Sequence, residues 1–165
     1  MASLPITNSQ GTKVYICPAG TDVSTAANIQ TAYASAKLVG CIQDLGSLTS
    51  TRNVTEYSCL SEDNVSKSFG SLTLGNFTIG MLFNGADSAG QSELKTMFDT
   101  NTSRVFIVGL SDEVFSASKS PTCFTFDGGV SSFEVAIAKD SAVMATATVE
   151  IMSVIQTVAK DSTGA

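Results

Sequence analysis

Any reaction performed by this chain would have to draw on carboxylates, serines, lysines and thiols, because its 165 residues include no histidine. That absence removes Ser-His-Asp and Cys-His catalysis, His-ligated zinc and His-ligated haem together. Ser92-Glu93-Leu94-Lys95 matches the bare S-x-x-K pattern in which a lysine activates a serine, but no S-D-N or K-T-G partner accompanies it. Lys95 is better placed as the wet side of a helix. Asp87 with Glu93, and Asp112 with Glu113, are the nearest approaches to paired carboxylates, and each stands at a loop or helix start, where an acid caps free backbone donors. Ser61-Glu62-Asp63-Asn64 offers oxygen ligands without the residue order of a calcium loop. Phe126-Asp127-Gly128-Gly129 reads as a hairpin turn, not a phosphate cradle. No catalytic residue, metal or cofactor is expected.

The remaining composition narrows the class. Cys17, Cys41, Cys59 and Cys123 lack CxxC spacing and sit among β-forming residues, so they read as small buried apolar side chains. Nine Lys plus Arg against fifteen Asp plus Glu give a net charge of −6, which disfavours a phosphate-gripping surface. Charged residues make up only 15% of the chain, so Ser, Thr, Asn and Gly must supply most of the polar surface. Sequons begin at Asn53, Asn64, Asn76 and Asn101 and are read as a by-product of that composition. Residues 1–10 have neither a basic nor an apolar leader region, and no stretch is long enough for an apolar membrane span, so the expectation is a chain made in a cytosol without a membrane anchor. The phenylalanines fall on inward strand phases, which favours core packing over a base-stacking platform.

The elements that would position these residues are mostly strands. Residues 1–11 lack periodicity and read as a flexible arm, 12–155 as one domain, and 156–165 as a frayed tail. Thr12 to Cys17 is a first strand, halted by Pro18 and Gly20. Thr21 to Ala36, with Asp22 placed to cap, is either a short helix or an irregular excursion. Leu38–Asp44 and Arg52–Leu60 read as strands, and Ser61–Gly70 as an exposed loop. In Gly75–Asn84, Phe77, Ile79, Met81 and Phe83 alternate with polar residues, so one face is buried. Ser88-Ala89-Gly90-Gln91 fits a capping box that opens a helix with Leu94, Met97 and Phe98 inward and Lys95 meeting Asp99 outside. Arg104–Leu110 is apolar on both faces and reads as a central strand covered by that helix on one side. Pro121–Asp127, Val130–Lys139 and Ser141 to about Val154 read as three antiparallel strands turning at Asp127-Gly128-Gly129 and Lys139-Asp140. Phe133, Val135 and Ile137 are expected to face in. The sum is a mainly β fold, an antiparallel sandwich or partly open barrel with one flanking α-helix.

Several local phrases resemble a known family. Cys41-Ile42-Gln43-Asp44-Leu45-Gly46-Ser47-Leu48, Arg52 to Leu60, the Phe77–Phe83 strand, Asp87 to Leu94, Arg104 to Val108 and the closing Ala-Thr-Ala-Thr-Val-Glu-Ile run are similar to phage major tail tube proteins over about residues 38–155. The excursion at 18–37 is longer than that pattern, and Ser153 stands near a place where the family often has Gly. The resemblance implies homohexameric rings stacked into the hollow tail of a long-tailed virus, assembled in the host cytoplasm, with no turnover chemistry. It also implies a tape-measure protein inside, initiator and terminator proteins at the ends, and DNA sliding through without specific binding. On that basis the arm at 1–11, the excursion at 18–37 and the loop at 61–70, with Glu62, Asp63 and Lys67, are candidates for contacts between rings. Glu56, Glu134 and Glu150, on polar strand phases, are candidate bore residues. A bacteriocin or secretion-system tube is the alternative within the same architecture, and a β-sandwich ligand-binding or adhesion module is the alternative from another class.

Overall fold

The computed structural model describes residues 8–87 and 89–162. Among the described residues, ten strands and two helices follow in chain order. They are β1 (Lys13–Cys17), α1 (Ala26–Tyr33), β2 (Lys37–Leu38), β3 (Ile42–Leu45), β4 (Ser50–Ser58), β5 (Val65–Leu74), β6 (Asn76–Leu82), α2 (Gly90–Thr100), β7 (Ser103–Gly109), β8 (Cys123–Ala136), β9 (Met144–Ile151) and β10 (Gln156–Val158). All pairings are antiparallel. The main sheet has eight strands in the order β2-β1-β7-β8-β9-β6-β3, with β10 also on β8, and β4-β5 form a separate two-stranded sheet.

The two ends of that order, β2 and β3, are consecutive in the chain. Residues 39–41 alone join them and can span only about 10 Å. The sheet must therefore curl until its opposite edges nearly meet, without closing into a barrel. The short link is bonded to both sides, with Val39 N donating to Val14 O at 2.9 Å and Leu82 N to Cys41 O at 2.9 Å. Cys41 turns the corner in the left-handed region at φ 57.

Inside the curl, Val14, Ile16, Phe77, Ile79, Met81, Phe106, Phe126, Ala145, Ala147 and Val149 form one core, plugged by Leu94 and Met97 of α2. The opposite face of β1, β7, β8 and β10 carries a second core of Tyr15, Cys17, Val105, Ile107, Cys123 and Val158, covered by Ile29 and Ala32 of α1. Two helices therefore cover the central strand, one on each face, where one was expected. The ambiguous stretch at 21–36 is helical over α1 because small alanines let it lie close. Its cap is Thr25, whose side chain accepts from Asn28 N, while Asp22 instead accepts from Ser24 N and Oγ.

Other expectations change for identifiable reasons. Ser88 lies outside the described residues, and the Gln91 side chain is committed elsewhere than to a capping box. Buried at 3% exposure, its Oε1 accepts from Asn84 N at 2.9 Å while Nε2 donates to Leu82 O at 2.8 Å and Gly40 O at 3.1 Å. The helix start is served by Asp87, which accepts from Ala89 N and Gln91 N. Gly90 is required by contact, because a Cβ there would strike Leu38 O and Val39 Cα. Phe98 lies outward, under Lys95 Nζ at 5.5 Å.

Asp127-Gly128-Gly129 is not a turn, since β8 runs unbroken for 14 residues. A Cβ on Gly128 would stand 2.7 Å from Val149 Cγ1, so the glycine serves close approach where β8 changes partner from β7 to β9. The strand that was expected to run from Leu38 to Asp44 is broken at the corner into β2 and β3. Residues 156–158, expected to fray, pair with β8, and Val158 is buried. Residues 1–7 and 163–165 lie outside the described part, whereas Asn8 O accepts from Ser111 Oγ. No described helix is long and apolar enough to cross a membrane.

Gln91→Leu would leave three part-buried backbone groups at the seam, Asn84 N, Leu82 O and Gly40 O, without their side-chain partner. It is expected to lower stability by about 2–4 kcal/mol, measured by urea denaturation.

Candidate assembly surface

Polar side chains of β3, β6, β9 and β8 come together on the outer face of the curled sheet. Because partners in register share a face, the pairing gives rows across the strands: Gly129, Glu150 and Asn76; then Ser132, Thr148 and Thr78; then Glu134, Thr146, Gly80 and Asp44. Their neighbours in sequence, Ala145, Ala147 and Val149, are fully buried, which fixes the polar phase outward. The rows contain no Lys or Arg. Glu134 and Glu150 thus share one face, and Ser131 Oγ donates to Glu150 Oε1 at 3.1 Å. Asp44 joins them only through sheet pairing, a placement that no local pattern reveals.

This half-sheet has two open edges. Strand β3 pairs only with β6. The β7 ladder on β8 ends at Ser103–Gly129, so residues 130–136 of β8 are paired on the β9 side alone. Unpaired ladders of this kind are templates for another chain.

Glu56 lies elsewhere, on the β4-β5 hairpin, where Lys67 Nζ reaches its Oε1 at 2.9 Å. Ser61–Gly70 is therefore not a loop throughout. Lys67 belongs to β5, and only Glu62 and Asp63 of the three stacking candidates lie in the connection between the strands. The strands of this hairpin, 9 and 10 residues long, pair only with each other and are exposed along most of their length. One face carries Val54 with Phe69, Glu56 with Lys67, and Ser58 with Val65; the other carries Thr55 with Ser68 and Tyr57 with Ser66. Phe69 is 71% exposed. A solitary two-stranded hairpin is marginal in water, and this one presents apolar side chains that the described chain leaves uncovered.

The groups singled out for chemistry are in structural roles. Lys95 is paired with Asp99 at 2.6 Å, and Asp112 accepts from Thr122 N and Oγ1. Among the described residues no cluster of His, Cys, Asp or Glu is arranged to hold a metal. Cys17 and Cys123 are buried, and burial pushes their thiols up to about 11 and about 12. Cys41 and Cys59 are exposed, contrary to expectation, because one sits at the corner between sheet edges and the other at the end of the free hairpin. Glu93 ties three elements, accepting from Lys37 Nζ at 2.7 Å and Arg104 Nε at 3.1 Å.

A family model described as phage tail tube, TTP, lambda-like, matches residues 6–161. The chain belongs to that family. Membership gives this tail tube chain a structural, non-enzymatic role. No curated protein matches it in sequence. Solved structures share its fold. A chain from the anti-feeding prophage baseplate has a TM-score of 0.70 at 9% identity, covering 96% of this chain and 98% of that one. The SPP1 tail tube gives 0.64 at 13% identity over 92% and 78%. The tail of an empty gene transfer agent particle gives 0.64 at 9% over 92% and 98%. These likenesses span both halves of the sheet and confirm the mainly β class.

The hydrogen bond from Lys37, helped by the Lys37 charge and then by the hydrogen bond and charge of Arg104, outweighs burial and holds the Glu93 carboxyl below its ordinary pKa. Its contribution to the tail tube fold is therefore full above the unfolded value near pH ~4.3 and is lost as pH falls through the folded value. Glu93→Gln should cost about 1–3 kcal/mol near neutral pH. The gap from the parent chain should shrink below about pH 4, as read from urea melts across pH.

Proposed function

We propose that copies of this chain close head-to-tail into hexameric rings, and that the rings stack into the tail tube of a long-tailed phage with DNA passing through the bore. The observation that carries this reading is the cation-free polar face of β3-β6-β9-β8, bounded by two open strand edges. Edge-to-edge repetition of that half-sheet satisfies both ladders and makes a continuous wall. DNA carries one negative charge per ~1.7 Å of axis. A wall of Ser, Thr and carboxylates offers it no site to stick. Glu134 and Glu150, with Asp44, would line the bore, whereas Glu56 belongs with the hairpin.

The hairpin face that carries Val54, Phe69 and Val65 is the contact for the next ring, with Lys67 and Glu56 paired on that same face and Glu62 and Asp63 at its end. The arm at 1–11 and the segment 18–37 remain further candidates for such contacts. The gene transfer agent tail was solved with C6 symmetry and the anti-feeding prophage baseplate was 6-fold symmetrised, which supports six copies per ring. A tape-measure protein, an initiator and a terminator complete the assembly, which forms in the host cytoplasm and resides in the virion tail. The likeness to anti-feeding prophage and other contractile injection-system subunits supports a second reading as a tube of that kind.

Negative-stain microscopy of the concentrated protein should show rings or tubes with a central hole, and a strict monomer would sink the proposal. Phe69→Asp is expected to leave rings and abolish tubes. Thr146→Lys with Thr148→Lys should leave tubes intact yet lower infectivity of the assembled phage at least about tenfold, since each cation adds a phosphate contact.

A further inference from the structure

We propose that Ile137, with Val135 beside it, is the anchor by which one copy grips the next, its side chain entering the cleft along β3 of the neighbour. This rests on the ring reading above and adds the residues that hold neighbouring copies together.

The knob is visible at the end of β8. Val135 is 39% exposed and Ile137 81% exposed, both at the overhanging end of the open edge. The sequence pattern places them inward, and the structure leaves them exposed because the β7 ladder stops at Gly129, so this end of β8 has a neighbour on the β9 side alone. Val135 stands opposite Ala145, which is fully buried, so the pair continues the core-side phase of the strand and not the polar face.

The socket is the seam of the curled sheet. A cleft of about 540 Å³ lies between β3 and the start of β1, walled on one side by Ile42 and Leu45 with the polar Gln43 and Asp44 at its β3 edge, and on the other by Gly11, Thr12 and Leu110. It exists because β2 is only 2 residues long and pairs with Tyr15 and Ile16, which leaves the beginning of β1 facing β3 across a gap. Ile42 and Leu45 also pack against the inner core, so the cleft opens on the core side of β3.

Sense, level and side all agree for a second copy. Passing from β3 through β6 and β9 to β8 involves three antiparallel steps, so the two open edges run antiparallel and can pair as such. Ala136 shares a row with Met144 and Leu82, and Leu82 N donates to Cys41 O, so Ile137 leaves β8 at the level where β3 begins. An apolar side chain seated in a neighbour's pocket is the usual form of an interface hot spot. Since each copy carries one knob and one socket on opposite edges, the contact is head-to-tail and can close.

Ile137→Glu tests this without touching the core. Its thermal midpoint should match that of the parent chain, and the concentration at which rings appear by native mass spectrometry should rise at least about tenfold. In a Cys41→Ser, Cys59→Ser background, Ile137→Cys with Gln43→Cys should give a ladder of covalently linked copies with a short bis-maleimide. Rings of Ile137→Glu at the parent concentration, or rings of the cysteine variant without a ladder, would overturn the anchor while leaving the ring reading intact. A parent chain that never forms rings would overturn both.

Discussion

A three-residue link between strands at opposite ends of one sheet is the constraint on which the rest of the molecule depends. It forces the curl, the curl creates an enclosed core, and α2 is the plug that fills it. The helix can sit there only because Gly90 lets its first turn touch the backbone of 38–39 and because Gln91 supplies both donor and acceptor to the strand ends around it. A polar side chain that is fully bonded in a buried place specifies one arrangement more sharply than apolar packing does. Glu93, one residue on, draws β2 and β7 to the same helix through Lys37 and Arg104.

Closing the core this way leaves the molecule with surfaces it does not use itself. The open edge of β8 beyond Gly129, the outer edge of β3 and the whole β4-β5 hairpin gain little from the folded monomer. A chain that functioned alone would be expected to blunt such edges with charge or proline; here Val135, Ile137, Val54 and Phe69 stay exposed on them beside the few charges they carry. The stability of the core and the exposure of these elements are complementary, since a subunit must be finished enough to fold and unfinished enough to be joined.

The parts of this arrangement legible in the sequence are those with one wet face and one dry face. In β6 and β9 the alternation of Phe77, Ile79 and Met81, and of Ala145, Ala147 and Val149, marks both the strands and their polar side. The hairpin is half visible because neither of its faces is buried by the chain itself, so β5 carries no burial rhythm and reads as loop. The Asp-Gly-Gly of β8 misleads because glycine serves close approach as readily as turning, and only the packing of Val149 distinguishes the two. Gln91 reads as a cap because three residues after a serine is where a cap partner stands; its real partners lie as far as 51 positions away. For the acids the polar phase alone unites Glu134 with Glu150, but it says equally of Glu56 that it faces water, and sheet membership separates them.

The unbroken strand through Gly128 and Gly129 has a mechanical meaning. Because β8 is hydrogen-bonded to β7 along its first half and to β9 along its second, the helix-backed layer and the polar half-sheet are threaded on a single backbone. Neither can slip sideways against the other without rupturing a ladder. A bending force applied to one is passed along covalent bonds into the other, which makes the subunit a stiff brick in place of two hinged plates.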